Sequence, residues 1–262
     1  MPTIKCNGIN LAYESNGAGH PLVLIGGLAY GAWQWQWLVP ELSPYYQVIT
    51  FDNRGADGSD KPEGPYTTPM MAADTIGLLD GLGLQRAHVM GISLGGFIVQ
   101  HVAIERPDLV DKLILAATNY GGPNAIPPRP EVLKVMMDRS GDPIELLKRG
   151  FALATASGYI DRHPEMGEEL LRYRLTNPVP PPQYQAQVMA GAGHNTEARV
   201  GEIKAPTLIL FGAEDNVVNP ENAELLRQKI PNSQVTILPG VGHMSVIEDP
   251  KRVAQTIREF LG

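Results

Sequence analysis

Apolar residues along this chain gather in short unbroken runs rather than in alternation. "PLVLIGG", "QVITFD", "AHVMGIS", "KLILAAT", "PTLILFG" and "QVTILPG" each end in a loop. Continuous apolar character over five or six residues predicts strands covered on both faces, as in a parallel sheet. Ahead of them, "TIKC" and "INLAYE" flank Asn7-Gly8, a two-residue hairpin signal. Between the runs lie segments of helical spacing. "MMAADTIGLLDGLG" is one, and "GGFIVQHVAIERP" is another that stops at Pro107. Asn219-Pro220 and Asp249-Pro250 each read as an N-cap followed by proline in the first turn, opening "ENAELLRQKI" and "KRVAQTIREFL". Strands alternating with helices predict an α/β fold with a mostly parallel sheet.

One region breaks the alternation. Residues 122–198 hold no convincing strand. They begin with "GGPNAIPPRP", carry "NPVPPPQYQ" near their end, and hold helix-like runs such as "IELLKRGFALAT" and "GEELLRYRL" between. This predicts a helical cap entered and left through proline-rich loops. The core is then 1–121 together with 199–262.

Composition narrows the function. The chain has 262 residues, 43% hydrophobic and 19% charged, an ordinary globular balance with length enough for one large core. A net charge of −7 without any Lys/Arg run argues against nucleic acid or anionic membranes as partners. Cys6 is the only cysteine, which excludes an internal disulfide and a cysteine metal cluster. The start, "MPTIKCNGIN", lacks a charged lead into a long apolar run, and no uncharged apolar stretch reaches about 18 residues. The expectation is a cytoplasmic protein, a monomer or homodimer, acting on a small molecule.

The candidate chemistry begins at "GISLG", residues 91–95, a G-x-S-x-G pattern between an apolar strand and a helix. A sharp strand-to-helix turn there lifts the Ser93 hydroxyl clear of the sheet. A serine needs a positioned base, and the base needs an orienting carboxylate. Of six histidines, His243 in "LPGVGHMSV" lies in a loop after a late strand. His88 lies inside a strand, His101 on the helix after Ser93, His163 and His194 in the insertion, and His20 just before a strand. The acid is Glu214 or Asp215, adjacent in "LILFGAEDNVVNP". The order serine, acid, histidine fits an α/β architecture with its site at the carboxyl ends of the strands.

On "GISLGG", "GAEDNVVNP" and "GVGHMSVIEDP", the chain resembles the α/β-hydrolase superfamily over nearly its full length. It is most similar to small prokaryotic carboxylesterases and enol-lactone hydrolases. "DNRGADGSDKP" departs from the family's D-x-R-G-x-G-x-S-D, with Asp57 where a glycine is usual. The resemblance implies an eight-stranded, mostly parallel sheet with a helical cap, and Asp215 rather than Glu214 as the acid. It also implies a Ser93–His243–Asp215 triad that cleaves carboxylic esters or lactones through an acyl-serine, with no cofactor and no metal. C–C bond hydrolysis, cofactor-free perhydrolysis and a slow-turnover small-molecule receptor are alternatives on the same triad. A carboxylate nucleophile, which haloalkane dehalogenation needs, is absent at position 93. The oxyanion hole is expected from the Leu94 N–H and from the Leu28 N–H. Leu28 follows Gly26 and Gly27, where Gly26 replaces the family's histidine. Gly27 and Trp33 are the candidate substrate contacts. If "GAWQWQWLVPEL" is helical, Trp33 and Trp37 share a face and Trp35 points elsewhere, a spacing suited to packing.

Overall fold

A computed structural model describes residues 1–138 and 140–262, with the backbone alone at Met136. Eight strands form one sheet: β1 (Thr3–Cys6), β2 (Ile9–Asn16), β3 (Pro21–Ile25), β4 (Gln47–Phe51), β5 (Ala87–Ile92), β6 (Val110–Ala116), β7 (Thr207–Gly212) and β8 (Ser233–Leu238). Their order is β1-β2-β4-β3-β5-β6-β7-β8. β1 pairs antiparallel with β2 and β2 antiparallel with β4, and every later pairing is parallel. Asn7 and Gly8 both take positive φ, as a type I′ hairpin turn requires. β3, β5 and β7 are buried almost end to end, so their unbroken apolar runs reflect cover on both faces.

Helices α1 (Val39–Leu42), α2 (Thr68–Gly81) and α3 (Leu94–Glu105) fall between the early strands. α3 ends at the Arg106 cap, one residue before Pro107. Between β6 and β7 lie α4 (Pro130–Met137), α5 (Pro143–Ala154), α6 (Tyr159–Arg162), α7 (Pro164–Thr176) and α8 (Pro181–Ala192), with no strand among the described residues there. Among the described residues one isolated antiparallel bridge, Gly121 to Asn195, brings the two ends of this segment together. Then come α9 (Asn222–Lys229), α10 (Ser245–Glu248) and α11 (Pro250–Leu261). Among the described residues no helix is long and apolar enough to cross a membrane.

Two local expectations are corrected. The Asp249 side chain caps α11, accepting from Arg252 N at 3.2 Å, but Asn219 caps no helix. Its Oδ1 accepts from Glu221 N at 2.9 Å, closing a turn, and α9 starts only at Asn222. Nor is the tryptophan stretch one helix. Ala32–Trp35 is a 3₁₀ turn, and α1 begins four residues further on. Trp33 and Trp37 nonetheless meet a common partner, Tyr173 of α7, stacked at 5.1 Å and edge-on at 6.2 Å. Trp35 is fully buried in the core instead.

Candidate active site

The candidate nucleophile turn is built by exclusion of side chains. A Cβ on Gly91 would lie 2.2 Å from Gly95 O, and one on Gly95 would lie 2.1 Å from Ile25 O. Only glycine lets β5 turn into α3 while that helix presses on β3. Ser93 between them is held at φ 55°, ψ −119°, a strained backbone for a residue with a side chain. Its N–H donates to Ala116 O at 3.0 Å, and its carbonyl accepts from Thr118 Oγ1 at 3.1 Å. The side chain stays partly accessible at the carboxyl end of β5.

Two strands along, the loop after β7 holds the candidate acid. Asp215 is buried, and its Oδ2 meets His243 Nδ1 at 2.8 Å. Its Oδ1 accepts the N–H groups of Val217 and Val218, both at 2.8 Å, which fixes the carboxylate's orientation. Glu214 turns the other way. It is exposed, and its Oε2 accepts Ser157 N at 3.0 Å from the helical insertion. The two neighbouring acids are thus separated by geometry. Among the described residues Ser93 Oγ makes no hydrogen bond to His243; the structure brings the histidine to its acid and sets the serine at the same end of the sheet, two strands from the acid. Free-enzyme catalytic contacts are commonly looser than those of the loaded site.

Glu248 supports the histidine loop. It accepts Gly242 N at 3.1 Å and, from the insertion, Ala156 N at 2.8 Å. Burial raises its pKa above the usual carboxylate value, against the lowering by those N–H groups.

The loop after β3 was expected to supply an oxyanion donor. Gly27 lies against the nucleophile, where an added Cβ would be 3.5 Å from Ser93 Cβ. Its own N–H is taken by Gln34 Oε1 at 2.9 Å, and Ala29 N donates to Gln187 Oε1 at 2.8 Å. Between them, Leu28 N–H donates to nothing among the described residues, and neither does Leu94 N–H at the start of α3. Those are the two donors expected from the sequence. The position of the family's histidine is also explained. Gln34 Oε1 would lie 3.0 Å from a Cβ on Gly26, so the buried glutamine occupies the room a side chain there would need.

Trp33 lines a cavity of about 640 Å³ together with Gln36, Asp52, Asp57, Lys61 and Asn177, and neither Ser93 nor His243 lines that cavity. Asp57 sits there at φ 33°, its pKa pushed up to about 6 by burial and then by the neighbouring Asp52.

Three residues that sequence reasoning missed hold the site: Gln34, Gln187 and Glu248. Gln187 of α8 is fully enclosed and also donates to Arg54 O at 2.8 Å, so it joins the insertion to two loops of the core. No local pattern marks such contacts. Of the insertion's cations, Arg174 of α7 comes nearest the Leu28 loop, donating to Ala29 O and lying 4.3 Å over the Tyr30 ring. Lys148, Arg149, Arg162 and Arg172 are engaged with Glu145, Asp138, Ser157 O and Glu169. Arg129 is exposed, and Arg139 lies outside the described residues.

Known proteins match this arrangement. A family model described as alpha/beta hydrolase fold covers residues 20–250. A poly(3-hydroxyalkanoate) depolymerase of Ectopseudomonas oleovorans is 32% identical over 244 residues, 92% of this chain and 84% of its own. A 2-hydroxy-6-oxononadienedioate/2-hydroxy-6-oxononatrienedioate hydrolase of Paraburkholderia phymatum is 29% identical, over 97% of this chain and 91% of its own. Among solved structures, a thermophilic esterase from Thermogutta terrifontis superposes with a TM-score of 0.85 at 29% identity, over 100% of this chain and 98% of its own. With the eight-stranded sheet and its match over residues 20–250, the chain belongs to the alpha/beta hydrolase fold family and is a hydrolase.

Proposed function

We propose that the protein is a serine hydrolase of carboxylic esters or lactones with small to medium apolar substituents. The observation that carries this reading is the strained Ser93 turn flanked by two undonated N–H groups, Leu28 and Leu94. An acyl carbonyl placed against Ser93 develops negative charge on oxygen, and two preorganised donors match that charge. His243 Nε2 takes the hydroxyl proton as Oγ attacks the carbonyl carbon. Asp215, bonded to Nδ1, keeps the imidazole in the required tautomer and stabilises its cation. Collapse of the tetrahedral adduct breaks the bond to the alcohol oxygen, which leaves with the proton from His243. Water then attacks the acyl-serine, again deprotonated by His243, and the acid departs. The chemistry needs neither metal nor cofactor.

C–C bond hydrolysis of dienoic acids on the same triad calls for a cation to hold the substrate carboxylate. Lys148, Arg149, Arg162 and Arg172 are engaged with acids or a backbone carbonyl, which favours neutral esters and lactones; Arg174, beside the Leu28 loop, is the cation that C–C hydrolysis would call on. Residues 122–198 serve as the cap in this reading, since a Cβ on Gly191 of α8 would touch Leu94 Cδ1 at 3.6 Å.

The test is a panel of p-nitrophenyl esters, lactones and dienoic acids run on wild type, Ser93→Ala, Asp215→Asn and Glu214→Gln. Ester or lactone turnover is expected, with a loss of about 10⁴–10⁶ in kcat for Ser93→Ala. Asp215→Asn should cost about 10⁴, while Glu214→Gln stays near wild type. Unchanged turnover in Ser93→Ala overturns the reading, and turnover of dienoic acids alone replaces it with C–C hydrolysis.

A further inference from the structure

At the end of the sheet opposite Ser93, three side chains far apart in the sequence converge. His20 precedes β3, His88 lies near the start of β5 and Asp111 near the start of β6. Asp111 Oδ2 is 3.4 Å from His20 Nε2 and 3.5 Å from His88 Nδ1. The three atoms all lie within 4.8 Å of one another. We propose that His20, His88 and Asp111 form a binding site for a divalent transition metal such as Zn²⁺ or Co²⁺.

Four observations support it. First, His88 is only 5% exposed and its Nδ1 has no hydrogen-bond partner, although it faces the Asp111 carboxylate. An unpartnered buried imidazole nitrogen costs free energy unless something fills the place it faces. Second, the two Asp111 distances match the ligand–ligand edges of about 3.3–3.5 Å around a tetrahedral ion with bonds near 2.0–2.1 Å. The two histidine nitrogens lie within 4.8 Å of each other, with the His20 ring open to solvent. Third, the β5–β6 register shifts between Ala87 and Val89, placing an extra β6 residue opposite His88. Such bulges re-aim side chains, and here the result is Asp111 turned toward His88. Fourth, Arg86 Nη2 contacts the other carboxylate oxygen, Oδ1, at 3.3 Å, leaving Oδ2 for the ion and fixing its direction.

Two imidazoles and one carboxylate select borderline metals over Mg²⁺ or Ca²⁺, which prefer all-oxygen sets. His20 is open to solvent, which gives the ion a route in and leaves a fourth position for water. The opposing charges are Arg86, already on the carboxylate, and Lys112, whose Nζ is held by Phe260 O and Leu261 O at 2.9 and 2.8 Å. His88 and Ser93 are five residues apart along one strand, roughly 16 Å, so the ion cannot touch substrate. Its effect is to tie β3, β5 and β6 together.

The experiment titrates EDTA-treated, dialysed protein with Co²⁺, followed by its visible d–d absorption, and with Zn²⁺, followed by thermal unfolding. One saturable Co²⁺ per chain and a rise in unfolding temperature with Zn²⁺ are expected. His20→Ala and Asp111→Asn should each weaken binding at least tenfold, with unchanged circular dichroism and ester turnover. His163→Ala, outside the cluster, should bind as wild type. His20 is exposed, so its variant folds even if changes at His88 do not. No saturable binding, or equal binding by wild type, His20→Ala and Asp111→Asn, overturns the proposal.

Discussion

Gln34 shows how one side chain does the work of a residue the chain lacks. Its Oε1 takes the Gly27 N–H and fills the space beside Gly26. Removing it frees a second N–H and loosens the loop that presents Leu28. Gln34→Ala is therefore expected to lower kcat about tenfold or more with little change in KM, less than the 10²–10³ lost with a whole donor. Steady-state kinetics on a p-nitrophenyl ester checks this. Asp57 is the converse case, a departure that costs stability. Its pKa of about 6 in the fold exceeds the unfolded value near 4. The folded state therefore carries a disfavoured charge above pH 6, and the cost fades as pH falls through 6 toward 4. Asp57→Asn should raise the urea midpoint at pH 8, on the order of 1 kcal/mol, with the gain shrinking toward pH 4. Ser93 and His243 stand out in the sequence as candidates because a turn pattern and a strand-end loop mark them, and the structure holds Ser93 in a strained turn and His243 on Asp215. The choice of Asp215 over Glu214 was not legible from spacing, since it depends on which way two adjacent side chains turn. Gln34 and Gln187 were invisible because a glutamine's contact with a distant backbone leaves no periodic trace.

At the scale of elements, β3 to β8 coincide with the six apolar runs, and β3, β5 and β7 show the reason, being covered on both faces. The misreadings fall where local chemistry is ambiguous. Asn-Pro serves a turn as readily as a cap, and tryptophan spacing alone cannot tell a 3₁₀ turn from an α-helix. The β5-to-α3 turn is the least tolerant junction. A methyl on Gly95 would sit 2.1 Å from the Ile25 carbonyl oxygen, backbone that cannot step aside. Gly95→Ala is expected to cost about 3 kcal/mol or more, read by chemical denaturation, and to lower ester turnover in whatever protein still folds.

Across the whole molecule, the insertion and the core share a buried histidine pair. His101 of α3 and His194, just after α8, both approach Thr68 Oγ1, at 3.2 and 3.3 Å. Phe97 stacks on His194 at 4.2 Å, while Glu105 lies 3.8 Å from His101 and Arg199 adds its positive charge nearby. Burial pulls His101 down to about 4 and His194 to about 3. Both are neutral in the fold and protonate near 6.5 when unfolded, so stability falls as pH drops from about 6.5 toward 4. The slope is at most about 1.4 kcal/mol per pH unit for each ring. Urea unfolding at pH 7 and pH 5 should show it, and His194→Gln should cut the difference to roughly half, the His101 share remaining. The bridge between Gly121 and Asn195 carries a further consequence. A Cβ on Gly121 would lie 2.0 Å from His194 O, so the junction accepts only glycine there. Because the excursion starts and finishes at that one clasp, the gap a substitute segment must span is fixed whatever its length. Lengthening such a loop adds little closure entropy, about 0.6 kcal/mol per doubling. The clasp is thus a graft point, where segments of other lengths and sequences can be exchanged while the sheet and its serine turn stay the same.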